Sequence, residues 1–578
     1  MSNTYTPHYE QPEEQQAYYQ KVKDLLDHYE DGWDVFINAH RDRNYDYVLT
    51  PKEEHKNNPY IPQSWLELAD SVIAIIAKDK YELDVYDNVI EIIRADHMLD
   101  AYTTVGLPNS YRHWSFGKKR LSEEKKYDAT KGLAYEIVIN SNPCISYCME
   151  DNSPLMQMLV IAHAAYGHNS VFKNNHFFKD TTSADTILQE NQRLSEYVFE
   201  CEQKYGWQEV SELLDCCHAM RFVSSTGSAA RRIKSQKELQ EDERQRIVED
   251  HLNPPIKSVF NFKKENIDTS QEQAPYAHAG EDNILKFMAD NAPHMPEWKR
   301  NIMRMVSNVS QYFRPQMQTK ILNEGMATFT HDEIMTTLRD IGLIDFGMYM
   351  EYTQINDGVL YQPDAVRKQQ APDGSIQNVI VGAEMNPYTL GLKILREIKR
   401  ICQNPTEEDK RWFPQFAGDP DWLAVVHQAA YSTNDETFIE QYLSPQAMRD
   451  LKMFLLTTEY ENDYYEISAV HAGDGFKKMR SQLAKDQRFH EQLPQIKLHD
   501  YQETTDRCLV LRHEMHNGLS LDYQDTSLVL EMMHHQWGHP VVIETVDENG
   551  TLVDYNTSIP DYDHEDYKPL PPQTLENV

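Results

Sequence analysis

A mostly α-helical fold with a smaller α+β module at the C-terminus is what this sequence predicts. Three observations carry that expectation. Apolar residues recur at helical spacing over most of residues 15–457. Alternating runs around Asn-Gly turns gather after residue 486. Forty per cent apolar and 11% aromatic residues in a chain of 578 suffice for a sizeable core, with no excess of Gly or Pro.

Residues 15–43 read as a helix, with Tyr18, Val22, Leu25, Leu26, Val35 and Phe36 on its apolar side. Residues 65–77 and 88–102 carry the same periodicity, and Gly106-Leu107-Pro108 breaks it. Residues 135–140 (YEIVIN) alternate as a strand. Residues 156–166 form a strongly apolar helix that Gly167 is expected to stop. Helices follow at 184–205, 210–222, 285–289, 298–312 and 321–338, then at 392–402 and 444–457, with a loop or exposed hairpin at 366–380. Near the C-terminus, Asn517-Gly518 and Glu548-Asn549-Gly550 each mark a hairpin, on either side of a helix at 526–537. The predicted partition is a disordered stretch 1–13, a helical part 14–224, a charged linker 225–275, a second helical part 276–485, an α+β module 486–556 and a disordered acidic tail 557–578.

With 56 basic and 92 acidic residues the formal charge is −36, which repels phosphate backbones and anionic lipid. The clusters Lys118-Lys119-Arg120 and Arg231-Arg232-Ile233-Lys234 are short, have acids close by, and read as solvated charge. The polar N-terminus has no apolar leader segment, and the most apolar stretch, 71–77, is too short to span a bilayer. Seven cysteines, an odd number without zinc-ribbon spacing, read as buried thiols in a reducing, cytoplasmic location. No P-loop, dinucleotide fingerprint or Gly-x-Ser-x-Gly elbow is present, which disfavours those enzyme classes.

Metal-capable residues are unevenly placed. The segment 158–178, MLVIAHAAYGHNSVFKNNHFF, puts His163 on an apolar helix and His168 just past Gly167. A lone histidine there reads as a core residue with a satisfied hydrogen bond; two, followed by a run of polar donors, read as a pocket floor. A zincin places its histidines four apart with a Glu between them, whereas here the separation is five and Ala164 stands where that Glu would be. On a regular helix such residues lie about 140° apart, so one metal requires the helix to end or bulge at Gly167. In the segment 320–335, KILNEGMATFTHDEIM, Glu324 and His331 are seven apart and share a helix face. Asn-Glu-Gly-x-Ala-Thr resembles the third-ligand helix of gluzincin aminopeptidases, so a zincin-like core is one expectation.

The expected ligands are therefore His163, His168 and Glu324, with zinc as the expected divalent metal and water in the fourth position. Because Ala164 offers no base, the candidates for that role are His331, Glu136 and His113. A di-iron bundle has one matching pair, Asp215 and His218, and no complete set. His534, His535 and His539 read as a helix–strand junction, and His513 and His516 as opposite faces of a strand.

These segments, in order, resemble the SpoVR (stage V sporulation protein R) family. The matching stretches are ADHMLDAYTTVGLP (95–108), HWSFGK (113–118), GLAYEIVINSNPCISYCMEDN (132–152), MLVIAHAAYGHNSVFKNN (158–175), CEQKYG (201–206), LDCCHAM (214–220), QTKILNEGMATF (318–329), NPYTLGL (386–392) and DETFIEQYLS (435–444). The chain departs at Thr330, where the family pattern has Trp before the His. The resemblance implies a bacterial protein of spore cortex formation or stress response, with a PrkA-type serine kinase and a von Willebrand-like protein as expected partners. It implies no particular chemistry, and leaves a non-catalytic regulatory or scaffold role beside the hydrolase.

Overall fold

The computed structural model describes residues 13–28, 63–104, 107, 110–130, 136–221, 283–344, 346–363, 366–370, 376–380, 385–453, 455–458, 465–469, 474–488, 494–501, 507–515, 518–547 and 549–559. The expected termini at 1–13 and 557–578 lie almost wholly outside these residues, and the 225–275 linker lies entirely outside. The chain is mostly helical with a four-stranded C-terminal sheet. It forms two compact units, 1–199 with 311–491, and 200–310 with 492–578. The units exchange inside two long helices, Ile187–Tyr205 and Glu297–Gln318, and again at 491.

The first unit is a helical body with a small sheet of β1 (Asn88–Ile93), β2 (Glu136–Ile139) and β3 (Cys144–Met149), in the order β1-β3-β2. The expected helix at 88–102 divides here. Its first part, NVIEII, is rich in β-branched residues and pairs in parallel with β3, and only Ala95–Thr103 is helical. Two hairpins, β4 (Val366–Gln370) with β5 (Ile376–Ile380) and β6 (Leu455–Thr458) with β7 (Tyr465–Ala469), complete the strands of this unit among the described residues. The second hairpin corrects the helix expected at 444–457, of which only Pro445–Asp450 is helical.

The unit's core is made by helices buried on most sides. Leu68, Val72, Ile73 and Ile76 of Gln63–Asp79 pack with Met158, Leu159 and Ile161, with Leu322, Met326 and Phe329, and with Leu390, Ile394 and Ile398. Ser153 caps the helix Pro154–Ile161, its hydroxyl accepting from the Met156 amide at 3.2 Å, with Pro154 in the first turn where a missing N–H costs nothing.

In the second unit, strands β8 (Gln495–Tyr501), β9 (Leu509–Glu514), β10 (Val541–Val546) and β11 (Leu552–Thr557) form a sheet in the order β11-β10-β9-β8. β10 and β11 pair antiparallel across the turn at Gly550, whose φ is +77°. Asn517 of the hairpin expected at Asn517-Gly518 lies outside the described residues. β9 is flanked by β8 and by a parallel β10, and after Gly518 the chain enters the helix Tyr523–Trp537. That helix ends at Gly538 in the left-handed conformation, with His534 Nδ1 2.7 Å from the His539 carbonyl, so these histidines form the helix–strand junction. β10 is buried throughout, and its one acid, Glu544, pairs with Arg512 of β9 at 2.8 Å.

All seven cysteines are buried, and burial pushes the thiols of Cys144 and Cys216 up to about 12, which keeps them protonated. Among the described residues no helix is long and apolar enough to cross a membrane.

Candidate metal centre

Three pieces of the first unit meet at one point. The helix Pro154–Ile161 does not stop at Gly167. It passes into a π-helical segment, Ala162–His168, and continues as Asn169–Asn174. The Asn169 amide donates to the Ala164 carbonyl, five residues back. A π turn stacks residues five apart, so His163 and His168 face the same way, which a regular helix forbids. Their rings are 4.7 Å apart and perpendicular. The stop expected at Gly167 fails because this glycine serves a close approach instead. A Cβ there would lie 2.5 Å from the Ala327 Cα of the facing helix.

That facing helix, Lys320–Asp340, is buried on nearly every side and carries Asn323, Glu324 and His331. Its N-terminus has no side-chain cap of its own. The buried Asp435 supplies one, its carboxylate accepting the Ile321 amide at 2.9 Å and the Leu322 amide at 2.8 Å. Asp435→Ala would strand these buried donors, each costing about 1–3 kcal/mol. The expected outcome is a loss of about 2 kcal/mol or more in urea unfolding.

Glu136, on β2, completes the cluster. His163 Nε2 is 3.3 Å from Glu136 Oε1 and 3.6 Å from Glu324 Oε2, and His168 Nε2 is 3.5 Å from Glu324 Oε2. Glu136, His163 and His168 form a group whose ligand atoms all lie within 4.8 Å of one another. Glu324 Oε2 is buried and makes no hydrogen bond. The imidazoles are 4% and 11% exposed and the carboxylates 20% and 22%, so the cluster opens on its carboxylate side.

Both histidines present Nε2 to the cluster because Nδ1 is engaged behind. His168 Nδ1 is 2.8 Å from Asn323 Oδ1, and His163 Nδ1 is 2.9 Å from His331 Nδ1. Such outer partners are what hold metal-binding histidines in one tautomer. Burial lowers the affinity of His168 for a proton, but the nearby Glu324 charge and the hydrogen bond to Asn323 outweigh it and raise its pKa. Burial likewise opposes charge on Glu324, yet His168 and His163 hold it well below the usual carboxylate range. Burial raises Glu136, against the pull of both histidines. Burial and the neighbouring His163 bring His331 down to about 3, so it is neutral.

The structure thus brings His163, His168 and Glu324 together with Glu136 and places His331 behind His163. His113 is not in the ligand group. It stands before the helix Trp114–Thr130 with Nδ1 2.7 Å from Ser115 Oγ, and its ring lies beside Trp114 and Phe116. Sequence reasoning passed over Asn323, Asn356 and Asp435, which support the cluster. Asn323 precedes Glu324 in the motif and was within reach; the other two carry no local signal.

Residues 62–492 match the family described as SpoVR like protein, and residues 494–548 match the SpoVR-like C-terminal domain. The uncharacterized protein YcgB of Escherichia coli (strain K12) is 40% identical over 497 residues, 85% of this chain and 94% of that protein. No solved structure matches. With both matches together running almost the full length, the chain belongs to the SpoVR family.

Proposed function

We propose that this protein is a metal-dependent hydrolase of a peptide or amide bond, with zinc held by His163, His168 and Glu324. One observation carries the reading. Ligand atoms about 2.0–2.2 Å from one tetrahedral ion stand about 3.3–3.6 Å apart. The two distances from Glu324 Oε2 to the histidine Nε2 atoms are 3.6 and 3.5 Å, which match the edges of such a tetrahedron. The buried, unbonded Glu324 Oε2 is the atom such an ion would satisfy. Two histidines from one helix and a glutamate from the facing helix make the arrangement zincin-like in its ligands, without the HExxH sequence.

Bound zinc lowers the pKa of water and polarises a carbonyl. The protein's own part falls to Glu136. It stands beside His163 Nε2 on the open side, where its carboxylate can take a proton from attacking water and pass it to the leaving amine. His331 sits behind His163, away from Nε2, which suits it to orientation and not to this transfer. Glu136→Gln is expected to keep zinc near one per chain by elemental analysis while cutting hydrolysis of a fluorogenic peptide library about 10²–10⁴-fold. Loss of zinc in this variant would make Glu136 a ligand, and activity equal to wild type would remove it as the base.

The family membership supports a setting in sporulation or stress response. In that setting a PrkA-type serine kinase and a von Willebrand-like protein are the proposed partners, tested by their co-purification with the tagged chain at native levels.

A further inference from the structure

Behind His163 runs a line of buried hydrogen bonds whose direction can be worked out from its far end. Asp332 Oδ2 is salt-bridged to Arg396 Nη2 at 2.7 Å, and Asp332 Oδ1 is 2.6 Å from the Tyr352 hydroxyl. Burial and the Asp332 charge push Tyr352 far above the ordinary phenol range, so it keeps its proton. A phenol has one proton, and at this distance from a carboxylate it donates it there. Tyr352 therefore meets Asn356 as an acceptor, and the Asn356 amide nitrogen, 3.4 Å away, is the donor. That fixes the amide: Asn356 Oδ1 faces His331 Nε2 at 3.2 Å and requires a proton on it. A neutral imidazole protonated at Nε2 accepts at Nδ1. His331 Nδ1 lies 2.9 Å from His163 Nδ1, so His163 carries a proton on Nδ1 and turns Nε2 toward Glu136 and Glu324.

Turning any member round leaves two acceptors or two donors facing each other in a buried place. Tyr352 is 2%, His331 3% and Asn356 8% exposed, so no bulk water repairs the mismatch. The polarity is thus imposed from the salt bridge at the surface end, where Arg396 is half exposed, through Tyr352, Asn356 and His331 to His163.

We infer that Asp332, held by Arg396, is a positioning residue that sets the tautomer of His163 through Tyr352, Asn356 and His331, leaving Nε2 free to bind a metal ion. The bare Nε2 rests on the zinc reading, because without an ion the facing carboxylates of Glu136 and Glu324 favour a proton there; the proton on Nδ1 does not. Two variants interrupt the line at different points, Tyr352→Phe, which removes the acceptor for Asn356, and Asp332→Asn, which removes the charge that orients Tyr352. The readouts are the ¹⁵N resonances of His163 in protein labelled at histidine, assigned by the loss of signal in His163→Gln, and the affinity for zinc alone.

Zinc-loaded wild type should show His163 as the Nδ1–H tautomer, and both variants should shift it toward Nε2–H and bind zinc about 10–100-fold more weakly, the usual cost of losing an outer partner. A wild-type Nε2–H tautomer overturns the inference. So does an unchanged tautomer in both variants, even with zinc bound. Zinc absent from wild type while the tautomer still moves in both variants supports the inference and refutes the zinc reading instead. A merely structural role for Asp332 would lower the melting temperature without moving the tautomer, and that result also overturns it.

Discussion

Replacing either His163 or His168 with alanine is expected to abolish stoichiometric zinc binding, read by elemental analysis of the purified protein. Each supplies one of the two nitrogens, and among the described residues no third imidazole joins the ligand group. In the metal-free protein Glu136 and Glu324 are moderated by the two histidines. Removing one histidine leaves two buried acids with half that support, so one of them is expected to take up a proton. The loss of metal should also appear as stability. A ligand bound at a thousand times its dissociation constant stabilises the folded chain by about 4 kcal/mol. Chelation should therefore lower the melting temperature of wild type and leave both variants unmoved. Variants that retain wild-type zinc would refute the ligand set.

The zinc-induced shift should depend on pH in a definite direction. Ligands must shed protons to bind, so the shift grows from pH 5 to pH 8. The metal-free protein runs the other way through His168. Its pKa is raised in the folded chain, so its stabilising contribution is complete below about 6.5 and is lost as the pH rises through the raised value. Melting temperatures with and without chelator at the two pH values separate these trends. A shift that is the same at both would argue against zinc on His168.

The two segments that matter could be found in the sequence, because metal-capable residues inside apolar helices stand out chemically. Their geometry could not. A five-residue spacing argues against a shared ion on a regular helix, and nothing in AHAAYGH announces a π turn. The turn depends on Gly167 lying against Ala327 of a helix some 160 residues away. Glu136 was visible as a candidate base, but its approach to His163 depends on β2 pairing with β3 and lying against the π segment. Asn356 and Asp435 were invisible for a related reason. Asn and Asp on helices are ordinary, and only the packing shows that one accepts from His331 and the other caps the helix of Glu324. The misread strand at 88–93 has the same origin. A short apolar run does not say whether its partner is a helix or a strand.

The second large effect is expected from a single methyl group. Gly325→Ala should destabilise the protein by about 1–3 kcal/mol and weaken zinc binding tenfold or more, although alanine is the better helix former by about 1 kcal/mol. Gly325 lies on the helix of Glu324 where it crosses the helix Pro387–Gln403 at Gly391. A Cβ at 325 would sit 2.5 Å from the Gly391 Cα and 2.6 Å from its carbonyl carbon. Both are backbone atoms in a buried helix, so no side chain can swing aside and the two helices must part. The residue carried along is Glu324, next in sequence, whose Oε2 spans His163 and His168 at 3.6 and 3.5 Å. Coordination tolerates displacements of about 0.5 Å, less than the separation a Cβ demands there. Gly358 supplies the control. It also lies within a helix, Phe346–Val359, but a Cβ there meets nothing within 4 Å. Gly358→Ala should therefore show the helix-forming gain alone, a stabilisation of about 0.5–1 kcal/mol with zinc affinity unchanged. If the two substitutions behave alike in urea unfolding and zinc titration, helix contact at Gly325 does not set the position of Glu324.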